Sequence, residues 1–151
     1  MLGEIISNVL SFFEKENKLT WFIAIIGAII IFSLSSLTFG GRTAGTNIIS
    51  IIYHITAFFF FTAFLLIAIS KGRSLKKLLA GTLFAITYAF TDEIHQYFVP
   101  GRSCNLFDIG LDSAGITIAL LIYLSVIIYR KNYKKHITFQ NKNIYKSKYN
   151  S

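Results

Sequence analysis

The chain has one cysteine, Cys104, one proline, Pro100, and only seven acidic residues among its 151. A lone cysteine excludes an intramolecular disulfide, so cysteine usage says nothing about compartment. The proline stands in a Pro-Gly pair, which marks a turn at 100–101. Three signatures of familiar hydrolases are also lacking: the lipid-phosphatase Pro-Ser-Gly-His pattern, the His-Glu-x-x-His zinc helix and the Gly-x-Ser-x-Gly elbow. Their absence argues against those chemistries, though not against an unfamiliar one. No internal repeat is visible, which leaves a chain of this length little room for alternating-access transport. Glu4 stands where a signal peptide would carry a basic segment, and no small-residue cleavage site follows, so residues 19–37 are expected to be a retained first span.

What the chain does have is apolar surface. Hydrophobic residues make up 54% of it and the mean hydropathy is +0.58, a membrane-protein composition. The net charge of +8 sits in short segments flanking apolar runs, a pattern that fits membrane topology and anionic lipid and not a nucleic-acid-binding face. Four apolar runs, 19–37, 48–69, 75–98 and 106–129, each come near the ~20 residues that a helix needs to cross the hydrocarbon core. The expectation is an all-α polytopic membrane protein, a bundle of four transmembrane helices. Residues 2–13 place Ile5, Ile6, Val9, Leu10 and Phe13 opposite Glu4, Ser7, Asn8 and Ser11, which fits either a short N-terminal interfacial helix or a frayed terminus. By segment, 1–18 is N-terminal and interfacial, 19–129 is the transmembrane domain, and 130–151 is a basic tail expected to be disordered and lipid-associated.

Thirteen of the fifteen positive residues lie before the first span, between the second and third, or after the fourth. Both termini are therefore expected to be cytoplasmic, with the 40–47 loop carrying Arg42 and the 99–105 loop carrying Arg102 facing outward. In the third run the uninterrupted apolar part, 78–90, is only 13 residues, so its helix has to continue through Asp92, Glu93, His95 and Gln96. The fourth run likewise needs the turn that holds Asp108 and Asp112.

Depth ties these residues together. His54, Asp92 and Asp112 each lie about six residues, or ~9 Å, from the outer end of their spans. Asp108 and Asp112 share a helical face continued by Gly115, and Asp92 shares one with Gln96, with His95 beside them. A carboxylate at mid-span costs ~2.5–3.5 kcal/mol on insertion scales, so these groups are expected to turn inward as one polar cluster. Arg102, returned by the Pro100–Gly101 turn, is expected to pair with a carboxylate in bidentate geometry, and His54 to pair with another. Negative charge still exceeds positive. Protonation of a carboxyl group, a bound divalent cation or a cationic ligand group would each resolve the excess.

Plainer roles also fit several of these residues. Asp108 fits position N3 of the fourth helix with Asn105 as N-cap, a variant of the capping box. Gly115 and Ala119, with Gly81 and Ala85, fit close helix packing. Phe58 to Phe61 surround their helix as core or lipid-facing bulk. Cys104 without a second motif is a poor candidate nucleophile.

The run DEIHQYFVPGRSCNLFDIGLDSAG, residues 92–115, resembles the signature of the VanZ-like family of small membrane proteins. The shared pattern is an Asp-Glu pair, a Gln, a Pro-Gly-Arg turn, an Asp six residues after the Arg, and a small-residue helix. Here these are Asp92, Glu93, Gln96, Pro100, Gly101, Arg102, Asp108 and Gly115, with His54, Phe58 and Phe59 matching an upstream His and aromatic span. Asp112 departs from the family pattern, which usually has Asn there, and adds a negative charge. The resemblance covers residues 20–129 and implies the fold, the membrane location and the polar motif. The family's founding member is associated with low-level resistance to the glycopeptide teicoplanin.

Two main function classes follow. The first is binding without turnover, in which Gln96, Arg102, Asp108 and Asp112 engage a cell-envelope component or drug. The second is a small membrane enzyme on a lipid-linked or phosphate-bearing substrate, with Asp92 or Glu93 as acid-base, Arg102 as anion clamp and His54 as acid or metal partner. A structural partner in a membrane assembly, its polar residues paired only with one another, is the third reading.

Overall fold

The computed structural model describes residues 2–37, 48–71, 74–102 and 104–149. The 40–47 loop expected to face outward, with Arg42, lies outside the described residues, as does Arg73. Regular structure among the described residues is entirely helical: α1 Leu2–Lys15, α2 Asn17–Ser35, α3 Ile48–Ser70, α4 Leu75–Tyr97 and α5 Leu106–Tyr149. Three of these, α2, α3 and the 106–140 part of α5, are long and apolar enough to cross a membrane.

The helix ends follow local chemistry. Ser74 caps α4, its hydroxyl accepting from Lys77 N–H at 3.4 Å. Asn105 caps α5, its Oδ1 accepting from Phe107 N–H at 3.0 Å. The turn between these two helices depends on Gly101, at φ 80, a conformation that side chains rarely adopt. As the length argument requires, α4 runs on through Asp92, Glu93, His95 and Gln96.

Helix α3 is the centre of the molecule: it packs against each of the other four, most extensively against α5. Phe58, Phe61 and Leu65 of α3 join Ile31 of α2, Ala85 and Ala89 of α4 and Ile116 of α5 in the main core. The small residues named from sequence turn to α3 on both sides. A Cβ built on Gly115 would collide with the Ile55 carbonyl oxygen and lie 3.0 Å from Phe59 N, so α5 meets α3 backbone to backbone. One on Gly81 would lie 3.0 Å from the Leu66 side chain, also on α3.

At the other end of the bundle α1 is docked, and the frayed-terminus alternative gives way. Leu10 is buried with Leu66, Ile67, Leu78 and Tyr123, and the Phe13 ring meets Phe64 edge-on at 5.2 Å. The polar face of α1 is held by Arg130 of α5. Its guanidinium donates to Ser7 Oγ at 3.0 Å, Ser11 Oγ at 2.7 Å, Glu14 Oε2 at 2.9 Å and the Ser7 carbonyl. Ile5, Val9 and Phe12 remain exposed.

The tail beyond Lys131, expected to be disordered, is instead helical, because α5 continues unbroken to Tyr149. Nothing between Gly115 and Tyr149 is glycine or proline, and extending an existing helix avoids the cost of nucleating one.

Candidate polar site inside the helix bundle

The end of the bundle away from α1 brings together the C-terminal ends of α2 and α4 and the N-terminal ends of α3 and α5. Into this space α3 sends His54, α4 sends Asp92, Glu93 and Gln96, and α5 sends Asp108 and Asp112. All six are buried, none with more than 4% of its surface exposed. The inward-facing cluster expected from depth is thus assembled.

Its contacts are specific. His54 Nδ1 and Asp112 Oδ1 are 2.8 Å apart, a buried pair joining α3 to α5 across the backbone contact at Gly115. Gln96 Nε2 donates to Asp92 Oδ2 at 2.9 Å, as their shared helix face predicts. Glu93 Oε2 accepts the backbone N–H of Asn105 at 2.7 Å. That last bond alters the capping-box reading. Asp108 does occupy N3 behind the Asn105 cap, but the cap's N–H is taken by Glu93 of α4, so both Asp108 oxygens are left without a hydrogen-bond partner.

Arg102 also differs from expectation. Among the described residues it forms no ion pair; Nη2 donates to the Leu34 carbonyl at the end of α2, at 3.3 Å, and Nε is unpartnered. Its charge still acts on Asp108 and on Tyr53, but the guanidinium reaches the end of α2 and makes no bidentate carboxylate contact among the described residues. His95 lies outside the cluster. Its ring stacks on Phe32, with centroids 4.2 Å apart, and Nε2 is 2.9 Å from Ser36 Oγ, so it fastens α4 to α2.

The accounts of donors and acceptors do not balance. Within this cluster six buried oxygens lack partners among the described residues: Asp92 Oδ1, Glu93 Oε1, Gln96 Oε1, both of Asp108 and Asp112 Oδ2. Against them stand two buried donors, Arg102 Nε and the Tyr53 hydroxyl. Buried polar groups in proteins are nearly always hydrogen-bonded, because leaving one bare costs ~1–3 kcal/mol. Among the described residues no three His, Cys, Asp or Glu side chains converge closely enough to hold a metal ion.

The family model described as VanZ/LLP1 matches residues 7–129. The chain belongs to the VanZ/LLP1 family. Every member of the cluster lies inside the matched segment, as does all but the start of α1. No curated protein and no solved structure matches this VanZ/LLP1 chain. With its three long apolar helices, the family places it among membrane proteins.

Tyr53 is the residue of this VanZ/LLP1 site that sequence reasoning passed over. It stands beside His54 and is in electrostatic contact with Asp92, Asp112 and Arg102. Its sequence signal was present: a tyrosine next to the histidine at the same depth, a hydroxyl-bearing ring among plain phenylalanines.

Proposed function

We infer that this protein is a four-span membrane protein, termini cytoplasmic, whose polar cluster opens outward and binds a hydrogen-bond-donating, cationic group of a cell-envelope molecule. The observation that carries this reading is the set of six unpartnered buried oxygens around Asp92, Glu93, Gln96, Asp108 and Asp112. A surplus of acceptors is complemented by ammonium or hydroxyl donors, or by a cation held together with such a group. Support for α4 as the fourth span comes from its surface. With Asp92 and Glu93 turned inward, the large side chains exposed between Leu79 and Ile94 are Leu79, Leu83, Phe84, Phe90 and Ile94, with Thr87 and Thr91 beside them.

The test is native mass spectrometry of lipids, metals and small molecules on the purified chain, beside the Asp92→Asn/Glu93→Gln variant. A species that copurifies with the wild type and is lost in an equally folded variant identifies the ligand class. Two bare, equally folded samples would reject the binding reading and leave an internal structural network. A role in envelope modification or glycopeptide resistance is the finer form of the same proposal. It predicts that expression raises teicoplanin tolerance and that Asp92→Asn/Glu93→Gln, at unchanged membrane abundance, weakens the effect.

A second reading is favoured by one observation, the buried His54–Asp112 pair, in which a carboxylate orients an imidazole. In a small membrane enzyme acting on a lipid-linked or phosphate-bearing substrate, His54 would move the proton, Asp92 or Glu93 would act as acid-base, and Arg102 would hold the anion. Glu93→Gln should then abolish function at unchanged membrane abundance. A parallel fall in abundance would reject that assignment.

A further inference from the structure

The polar cluster leaves donors unsatisfied as well as acceptors, and the two kinds stand side by side. Asp108, fully buried, has neither carboxylate oxygen hydrogen-bonded, and Asp92, Glu93 and Asp112 each keep one bare oxygen. Among the donors, Arg102 Nε and the Tyr53 hydroxyl are buried without a partner. Both sets share one neighbourhood: the Arg102 charge acts on Asp108 and on Tyr53, and Asp92 and Asp112 act on Tyr53 as well. Yet among the described residues Arg102 has no ion pair, and these donors and acceptors leave one another bare.

A ligand of one charge sign fits only half of this arrangement. A bare cation satisfies the carboxylates but meets the charge of Arg102, and a bare anion satisfies Arg102 and Tyr53 but meets the carboxylates. A molecule that carries both signs a few bonds apart satisfies both. The acceptors also require N–H donors, of which a primary ammonium group has three and a quaternary one none. Chain position orders the two halves. Asp108 lies four residues, about 6 Å, nearer the start of α5 than Asp112, and so is the carboxylate next to the turn that carries Arg102. Arg102 itself is only half-buried. On the proposed topology its turn stands at the level of the lipid phosphates, and a guanidinium matches the oxygen pair of a phosphate.

We propose that the ligand of this site is an aminoalkyl phosphate zwitterion, its primary ammonium group hydrogen-bonded to Asp108 and the neighbouring carboxylates and its phosphate held by Arg102 and the Tyr53 hydroxyl. The inference rests on the cation-binding reading above and adds to it the second charge and the requirement for N–H donors. The headgroup of phosphatidylethanolamine and free phosphoethanolamine share this chemistry.

The test uses the full chain in micelles containing equal phosphatidylethanolamine, phosphatidylcholine and phosphatidylglycerol, read by native mass spectrometry. Phosphatidylethanolamine is expected to be retained at least ~10-fold over phosphatidylcholine, which has the same charges but no N–H, and over phosphatidylglycerol, which lacks the cation. Equal retention of phosphatidylethanolamine and either of the others would overturn the proposal on the wild-type protein alone. Tyr53→Phe should lower phosphatidylethanolamine retention about 10-fold without loss of thermal stability, because the hydroxyl it removes has no partner in the protein. Unchanged retention in that variant would overturn the assignment of the phosphate. Dodecylamine, an ammonium group without a phosphate, separates this inference from the reading beneath it and is expected to bind at least ~10-fold more weakly than phosphatidylethanolamine. If it is retained as tightly, the zwitterion falls and the cation-binding reading stands; if neither is retained, both fall. Excess soluble phosphoethanolamine identifies the source. Displacement of the lipid shows that the headgroup suffices, persistence of the lipid shows that its chains contribute, and the shared chemistry is supported in either case.

Discussion

Gly115 is the residue on which the site's geometry rests. The atoms that a Cβ would meet are backbone, the Ile55 carbonyl and Phe59 N, and neither can swing aside as a side chain would. Gly115→Ala is therefore expected to push α5 off α3 and destabilise the bundle by ~1–3 kcal/mol. Thermal unfolding in detergent would measure this, and an unchanged midpoint would refute the backbone-to-backbone contact. Cys104 supplies a residue-level reporter of the cluster. Desolvation first, and then the neighbouring Glu93 carboxylate, push the exposed thiol above its ordinary range, so less thiolate is present at any given pH. Maleimide labelling should consequently be slower than for a free thiol near pH 8 and rise with pH. Glu93→Gln keeps an acceptor for Asn105 N–H but removes the charge, so the titration should move to lower pH and labelling at pH 8 should accelerate. An identical labelling profile in a folded variant would show that Glu93 does not act on the thiol.

At the scale of elements, α1 is held by one side chain from the far end of the chain. Arg130→Ala removes four donor contacts to Ser7, Ser11 and Glu14, and α1 docking should weaken by ~1–3 kcal/mol. Amide exchange in α1 should then rise roughly 10-fold or more, with exchange in α3 unchanged. Equal exchange in both proteins would mean that Leu10 and Phe13 suffice. This docking was only half legible in sequence. The amphipathic pattern of residues 2–13 showed that a helix could form, but nothing local linked it to Arg130, which lies 123 residues from Ser7. The helices of the first three apolar runs read well because their boundaries depend on local hydropathy, although of the four expected spans only α2, α3 and α5 are long and apolar enough among the described residues. The tail read poorly because continuation of a helix depends on the turn before it and not on lysine content.

For the whole molecule, His54, Asp92, Glu93, Gln96, Asp108 and Asp112 were legible as members of the polar site because depth in a membrane is one coordinate, and helical rise supplies it from residue number, whereas His95 and Arg102 point elsewhere and Tyr53 was missed. Pairings were not, since they depend on helix rotation and on which cap or turn takes each donor. Depth brought His54 and Asp112 to one level, whereas Glu93 taking Asn105 N–H, and Arg102 reaching Leu34, needed three dimensions. The proposed topology makes a prediction at this scale. In intact cells a membrane-impermeant thiol reagent should modify Cys104, while a cysteine placed at Lys134 in a Cys104→Ser background should react only after permeabilisation. The reverse pattern would invert the orientation. The central position of α3 also bears on biogenesis. His54 lies 58 residues before its partner Asp112, so at ~5–20 residues per second the histidine is synthesised about 3–12 s before the carboxylate exists. During that interval α3 is an unfinished segment with an exposed polar mark, and completion of α5 removes the mark. Chains that stop short of α5 would keep it.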